Sequence, residues 1–272
     1  MRGSDCLDEN WLDEYDEYED DELAATETVP KSGIMSRLFG VFYAPVKLFT
    51  SIRVHGGAVA PLLMTLLLCV LFGVLSYWYR PIEMRETYAM AMERFDKQYV
   101  EIIRAQVGEG NKPSDLILAG ATLFGTSILG AVVSAVIGFL VLKICKSEIG
   151  FGKLFTMFLT IGTVELFGQL LSAGMSIAAF TTMNVFSLAI FLPNPAAAGY
   201  FVLNNVTVFL FCGAGLTAAG IVVLSGLPKV KAVTAACIVL LLTYGVNLLL
   251  ATRTSDPLAS YELGYRVMNM IR

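Results

Sequence analysis

The sequence predicts an all-α membrane protein: a bundle of five transmembrane helices with an amphipathic pre-membrane helix and an extramembrane amphipathic helix between spans 1 and 2. No Asp, Glu, Lys or Arg occurs over residues 166–228. Apolar residues make up 56% of the chain, and the mean hydropathy is +0.68. Since about 20 apolar residues already cross a bilayer, a soluble domain could not bury such a run. Further charge-free runs occupy residues 54–79, 116–142 and 232–252.

The first element is a strongly acidic segment. Residues 1–30 contain twelve acids and one Arg, a net charge of −11, whereas residues 31–272 contain eighteen bases and eleven acids, a net charge of +7. Because its carboxylates repel one another and cannot build a core, segment 1–32 is predicted to be a disordered cytoplasmic tail. The alternative is a docking peptide whose apolar side chains form a stripe on a basic partner: Trp11, Leu12, Tyr15 and Tyr18.

Residues 33–53 are predicted to form an interfacial helix. Apolar residues recur there at steps of three and four, with bases between them, and Pro45 breaks or restarts the helix. This pattern is typical of a helix that lies in the headgroup plane rather than crossing the bilayer. The alternative is a cytoplasmic helix that packs on the membrane domain.

The first span is predicted at 59–79, where an aromatic cluster marks its far end. Residues 80–112 are the most charged part of the membrane body, and apolar residues there share one helix face. Pro81 suits the first turn of a new helix, so an amphipathic helix is predicted over 82–107. It is expected to lie along the membrane surface or to cap the bundle.

The remaining spans are predicted at 116–142, 154–180, 202–224 and 232–251. Residues 183–200 contain the turn-forming run Pro193, Asn194 and Pro195 but no charge, which predicts a turn between the third and fourth spans. A C-terminal tail follows at 252–272. Small residues on spans 2 and 4 predict close helix packing or self-association: Gly130, Ser134 and Gly138, and then Gly213, Gly215 and Gly220.

The distribution of bases predicts the orientation. With the N-terminus in the cytoplasm, the near-membrane bases fall inside, as the positive-inside rule requires. The charge-free 183–200 turn and the C-terminus then fall outside. The bases are Lys31, Arg37, Lys47, Arg53, Lys143, Lys146, Lys153, Lys229 and Lys231.

The sequence contains no catalytic, cofactor-binding or metal-ligating signature. Its five cysteines lie far apart without a C-x-x-C pair, and His55 is the only histidine. Neither a phosphate-binding loop nor a dinucleotide fingerprint occurs, and residues 125–130 miss the nucleophile-elbow spacing. We therefore expect a protein that is not an enzyme, that needs no cofactor and that binds no nucleic acid.

Four stretches make residues 33–251 resemble the Yip1 domain family, in particular its bacterial members. They are FYAPVKLFTSI before the first span, CKSEIGFGKLFTMF before the third, LLSAGMSIAAF leading to FSLAIFLPNP, and the final pair of spans from VLNNVTVFLF onward. The DLYGP-like motif of eukaryotic members is missing. The resemblance implies a multi-pass protein of a bacterial inner membrane.

Glu165 is the ionisable residue that lies well inside a predicted span, with Gln169 one helical turn further on. Such a group is costly in hydrocarbon unless it is neutral, paired or hydrated. One hypothesis is a proton or cation pathway along this face. The other is structural, with Glu165 hydrogen-bonded to a polar partner such as Asn204, Asn205 or Asn247.

Two functions follow from these observations. The first is a non-enzymatic membrane scaffold or adaptor that recruits membrane or cytoplasmic proteins and associates with itself. The alternative is a small transporter or transporter subunit with an intramembrane pathway at Glu165 and Gln169. An inverted repeat would favour the transporter, and the odd number of spans does not divide into halves.

Overall fold

The described parts of the chain are helical. The computed structural model describes residues 40–107, 113–182, 184–192 and 200–254, together with Leu258, Tyr261 and Tyr265. The predicted tail 1–32 lies outside the described residues. Within them the structure has one isolated β-bridge, between Ser187 and Thr207, and no strand. The helices are α1 (Pro45–His55), α2 (Val59–Arg94), α3 (Lys97–Val107), α4 (Pro113–Ile144), α5 (Phe151–Ala179), a 3-10 turn (Leu188–Phe191), α6 (Tyr200–Asn205), α7 (Val208–Ser225) and α8 (Lys229–Thr254).

Helices α2, α4, α5 and α7 are long and apolar enough to cross a membrane. Helix α8 occupies the region predicted as the fifth span, 232–251, but its side chains from residue 246 onward lie outside the described residues. The multi-pass, all-helical class is therefore confirmed, and the count of five spans stays a prediction.

The prediction of a separate helix over 82–107 is wrong, because its first part continues α2 and its last part forms α3. Helix α2 continues for 36 residues through Pro81. At about 1.5 Å per residue it is about 54 Å long, which exceeds a hydrocarbon core of about 30 Å. Pro81 leaves the carbonyl of Tyr77 without its usual helical donor, but this position lies at the edge of the apolar run, where water can replace it. Pro81 therefore does not end the helix.

The break comes instead at Phe95, whose backbone is extended. Asp96 then starts α3 by accepting a hydrogen bond from the backbone N–H of Tyr99 at 2.8 Å. Phe95 and Tyr99 pack with C-terminal residues into a second, smaller core, and the Tyr99 hydroxyl donates to the carbonyl of Tyr261 at 2.9 Å. We call this group the extramembrane cluster: Ala91, Phe95, Tyr99, Val100, Ile103 and Leu258.

Helix α5 lies at the centre of the bundle. Along its most apolar 18-residue window 61% of the residues are buried, against 28–39% for the other three apolar helices. It contacts α2, α4 and α7, while α8 contacts α7 and α4, so the five long helices close a ring. Side chains on several faces of the middle of α5 can therefore contact neighbouring helices.

Helix α1 packs on the bundle through one face. Its Phe49 is completely buried in the main core beside Met157 and Ile221. Val46 and Val54, elsewhere on the helix, are exposed. The predicted packing on the membrane domain is thus present, and the exposed apolar side fits the headgroup position that the sequence predicts.

A close backbone approach joins α2 to α4 at two glycines that the sequence pattern does not mark. A Cβ added to Gly73 would lie 2.9 Å from the carbonyl oxygen of Leu116, and one added to Gly120 would lie 2.9 Å from that of Cys69. Of the predicted packing residues, Gly138 and Gly220 contact side chains of α5, at 3.1 Å and 2.5 Å from the added Cβ. The predicted intrachain packing role is not seen for two others, Gly130 and Gly215, which have no atom within 4 Å of that position.

Replacing Gly120 with Ala should destabilise the bundle. The new methyl group meets a backbone oxygen, which cannot move without separating α2 from α4, so we expect a loss of about 1–3 kcal/mol and a lower Tm. Thermal unfolding of the purified protein in mild detergent measures it. Gly125→Ala on the same helix is the matched control, because its Cβ has open space. Equal Tm values for the two variants would contradict the close crossing.

Candidate functional site: an intramembrane polar cavity

A cavity of about 270 Å³ lies between α2, α4, α5 and α8. Glu165 stands at the midpoint of α5 and Gly130 near the midpoint of α4, so the cavity lies near the middle of the apolar helices. It brings together the predicted pair Glu165 and Gln169 with two members of the predicted packing stripe, Gly130 and Ser134. Its polar lining consists of Thr65, Thr126, Ser127, Ser134, Glu165, Gln169, Thr243 and Tyr244.

Glu165 is held by a short hydrogen-bond chain that joins the helices α5, α7 and α8. The hydroxyl of Tyr244, on α8, lies 3.2 Å from Oε1 of Glu165 and donates to it. The same hydroxyl lies 3.3 Å from Oγ1 of Thr217, a completely buried residue of α7. Thr217 can donate in turn to the Tyr244 oxygen, so each proton in the chain points towards the carboxyl group.

Gly213 leaves the space in which this chain forms. A Cβ at that position would lie 2.7 Å from Oε1 of Glu165 and 2.9 Å from the hydroxyl of Tyr244. The sequence analysis interpreted Gly213 as a helix-packing residue. Its neighbours here are polar side-chain atoms of α5 and α8, so the glycine accommodates the hydrogen bond itself.

The partner of Glu165 is therefore a tyrosine, and the expected role of Asn204 is corrected. Oδ1 of Asn204 accepts from the hydroxyl of Ser187 at 3.2 Å and from the backbone N–H of Asn184 at 3.4 Å. Oδ1 of Asn184 accepts from the hydroxyl of Ser172 at 2.9 Å. These bonds organise the loop after α5, and the side chain of Asn247 lies outside the described residues. The signal for this pairing in the sequence is Tyr244 itself, which lies within the charge-free run 232–252.

The region of the predicted fourth span, 202–224, is divided into two helices, so the long helix there is shorter than predicted. Helix α6 ends at Asn205, and α7 begins after Thr207, whose hydroxyl accepts from the N–H of Leu210 at 3.1 Å. The backbone of Thr207 is extended and pairs with Ser187. The β-bridge and the side-chain cap at Thr207 therefore separate α6 from α7, although no charged residue marks this break in the sequence.

Four hydroxyl groups of the cavity donate to carbonyl oxygens of their own helices. Thr65 donates to Pro61 at 2.8 Å, and Thr126 donates to Thr122 at 3.0 Å. Ser127 and Thr243 make the same kind of bond with the residue four positions earlier, both at 2.7 Å. Since a hydroxyl has one proton, each of these oxygens keeps acceptor lone pairs that its own helix does not use.

One end of the bundle is basic and tied together by hydrogen bonds. Arg53, near the end of α1, donates to the carbonyl of Val223 at 3.3 Å, and its own carbonyl accepts from the ammonium of Lys153. Ser147 donates to the carbonyl of Ser225 at 2.7 Å. The α4–α5 and α7–α8 turns therefore meet at α1. We call this face the basic end, and its exposed bases include Lys143, Lys146, Lys229 and Lys231.

The opposite end is held by polar contacts between the extension of α2 and the segment after α5. Arg85 donates to the carbonyl of Phe180 at 2.8 Å, and Glu86 accepts from the backbone N–H and the hydroxyl of Thr182. Arg80 forms an ion pair with Asp115 at 3.2 Å, which joins α2 to the start of α4. These contacts fix the end of the bundle that carries the extramembrane cluster.

The other predicted site residues give no further site. The docking stripe of Trp11, Leu12, Tyr15 and Tyr18 lies outside the described residues. Among the residues that the structure does describe, no three His, Cys, Asp or Glu side chains are grouped so that they could hold a metal ion.

Several long apolar helices around a polar cavity define a multi-pass integral membrane protein. The family model of the Yip1 domain matches residues 39–250, so the chain belongs to the Yip1 family. The matched segment covers α1 to α8 almost completely and agrees with the resemblance found over 33–251. Searches of curated proteins and of solved structures gave no match.

Tyr244→Phe should lower the stability of the bundle. The change removes one hydroxyl that bonds both Glu165 and Thr217, and hydrogen bonds inside membrane proteins contribute about 0.5–1.5 kcal/mol. We expect a lower Tm for the purified protein in detergent. Tyr43→Phe, at a tyrosine with 68% of its surface exposed, provides the control. If both variants unfolded at the wild-type temperature, the hydrogen-bond chain would have no energetic role.

Proposed function

We propose that the protein is a non-enzymatic, five-span scaffold or adaptor of the Yip1 type in a bacterial inner membrane. The basic end supports this proposal. It is built from α1 and two turns that hydrogen bonds hold in register, so it offers a preformed surface rather than a set of mobile loops. Its exposed lysines favour acidic partners, either protein segments or anionic headgroups.

The same bases support an orientation with the N-terminus in the cytoplasm and the C-terminus outside. Lys143, Lys146 and Lys153 flank one turn, and Lys229 and Lys231 follow another, all at the end of the bundle that contains Arg53. Bases close to the ends of spans remain in the cytoplasm during insertion. The extramembrane cluster then faces the outside of the inner membrane.

Labelling of single cysteines tests this orientation. In a variant without native cysteines, Lys146→Cys lies at the basic end and Glu101→Cys lies at an exposed position of α3. A membrane-impermeant maleimide added to intact cells should label Glu101→Cys, whereas Lys146→Cys should react only after lysis. The reverse pattern would place the basic end outside and overturn the orientation.

The acidic tail provides the second part of the adaptor proposal. Residues 1–30 carry a net charge of −11 and precede α1, which belongs to the basic end. The apolar stripe of Trp11, Leu12, Tyr15 and Tyr18 would bind a groove in a partner, while the surrounding carboxylates select a basic rim. The tail thus extends the reach of the bundle to proteins in the cytoplasm.

Affinity purification in mild detergent tests the role of the tail. A protein captured by the full chain should be lost when residues 1–30 are deleted, and Trp11→Ala combined with Leu12→Ala should lower its recovery at least about tenfold, equivalent to about 1.4 kcal/mol. Thr26→Ala combined with Thr28→Ala changes the same tail away from the stripe and should have no effect. Equal capture by all four proteins would exclude a docking role.

Transport is a second candidate, because the cavity places Glu165 and Gln169 on one wall near the middle of the spans. A pathway needs such polar groups away from lipid. The adaptor proposal does not depend on this cavity, so the two functions can be tested separately.

A further inference from the structure

We propose that the intramembrane cavity binds one small monovalent cation together with some of its water, with Glu165 as its counter-ion. This inference goes beyond the adaptor function and does not require that the cation be transported. It rests on the chemistry of the lining, the position of the carboxyl group and the size of the space.

The lining offers acceptors and negative charge. Glu165 is the ionisable acid of the lining, and no Lys, Arg or His is among the lining residues. The hydroxyls of Thr65, Thr126, Ser127 and Thr243 donate to their own helices, so their oxygens can act only as acceptors towards a ligand in the cavity. A phosphate or carboxylate would meet no positive charge here, whereas a cation or a hydrogen-bond donor meets oxygen on several sides.

Glu165 keeps part of its hydrogen-bonding capacity for a ligand. Its Oε1 accepts from Tyr244, but no hydrogen bond to Oε2 occurs among the described residues. The residue is half-buried, and it lines the cavity. A carboxylate has about four acceptor sites, so one tyrosine leaves most of them open. In hydrocarbon these sites need a cation, a donor or water.

The size of the cavity selects a small, partly hydrated ion. One water molecule needs at least about 10–15 Å³ of cavity volume, so a space of about 270 Å³ has room for an ion together with several waters. This volume is larger than a bare ion requires and suits an ion with several waters. A divalent ion would need more than one carboxylate to offset its charge and dehydration. The ligand class is therefore a small monovalent cation such as sodium, potassium or ammonium.

Thermal unfolding of the purified full-length protein tests the site. Sodium, potassium and ammonium chloride are compared at equal ionic strength with the chloride of N-methyl-D-glucamine, a large organic cation whose single charge cannot be coordinated from all sides by oxygen atoms. At least one small cation should raise the Tm in a saturable way, because a ligand that binds the folded state stabilises it. Glu165→Gln, which keeps the shape of the side chain, should weaken the apparent affinity at least about tenfold, equivalent to about 1.4 kcal/mol.

Two further variants keep the result interpretable. Thr243→Val removes one acceptor oxygen without touching Glu165 and should weaken the affinity even if Glu165→Gln does not fold. Glu148→Gln removes an exposed acid at the basic end and should leave the Tm shift unchanged. A wild-type protein with no difference between the small cations and N-methyl-D-glucamine would overturn the proposal. So would a shift that neither Glu165→Gln nor Thr243→Val reduces.

Flux measurements on vesicles separate the cation site from the transporter hypothesis. The wild-type protein and Glu165→Gln are reconstituted, and entry of the cation that raises the Tm is followed. Uptake that is lost in Glu165→Gln supports both the site and transport. A Tm shift without uptake supports the site and contradicts transport, and capture of a partner through the tail is unaffected by either outcome.

Discussion

Hydrocarbon offers no hydrogen-bond partner to a polar atom, so the carboxyl group of Glu165 has to find its partners on neighbouring helices. The arrangement of the helices around it provides them. The carboxyl group lies at the middle of the central helix α5. Helix α8 supplies the hydroxyl of Tyr244, and α7 supplies Thr217 and the space at Gly213. Helix α4 completes the wall with small and hydroxyl-bearing residues. The ring of five helices is thus closed around a polar centre that no single pair of helices could satisfy.

The two ends of the bundle are stabilised in different ways. At the basic end, short turns bring backbone carbonyls within reach of Arg53 and Ser147, so the bonds run from side chains to helix ends. Carbonyls at a helix C-terminus lack intrahelical donors, and these side chains satisfy two of them. At the other end α2 extends beyond the apolar region, and Ala91 near its end packs with Phe95, with residues of α3 and with Leu258 in the extramembrane cluster. A rigid face and a small folded cap therefore flank the membrane part.

The sequence predicts the apolar helices well because hydrocarbon disfavours charge along the part of each helix that crosses it, and that signal extends over about 20 residues. It does not predict where α2 ends, since Pro81 falls where water can replace a missing donor. It also does not predict the break before α7, which depends on a cap at Thr207 and a bridge to Ser187. Pairings such as that of Glu165 with Tyr244 depend on which helices meet. Periodicity within one helix contains no information about its neighbours.

Helix α5 connects the cavity with both ends of the bundle, and this limits how the two proposed roles could influence each other. Lys153 in its first turn donates to the carbonyl of Arg53, and the carbonyl of Phe180, just after its last turn, accepts from Arg85. A cation at Glu165 can change partner binding only if it binds two arrangements of the bundle with different affinities. Any second arrangement that moves α5 must break one of these contacts, whereas rearrangement of the Tyr244 hydroxyl alone would leave the basic end unchanged. The two roles are therefore independent unless α5 itself shifts.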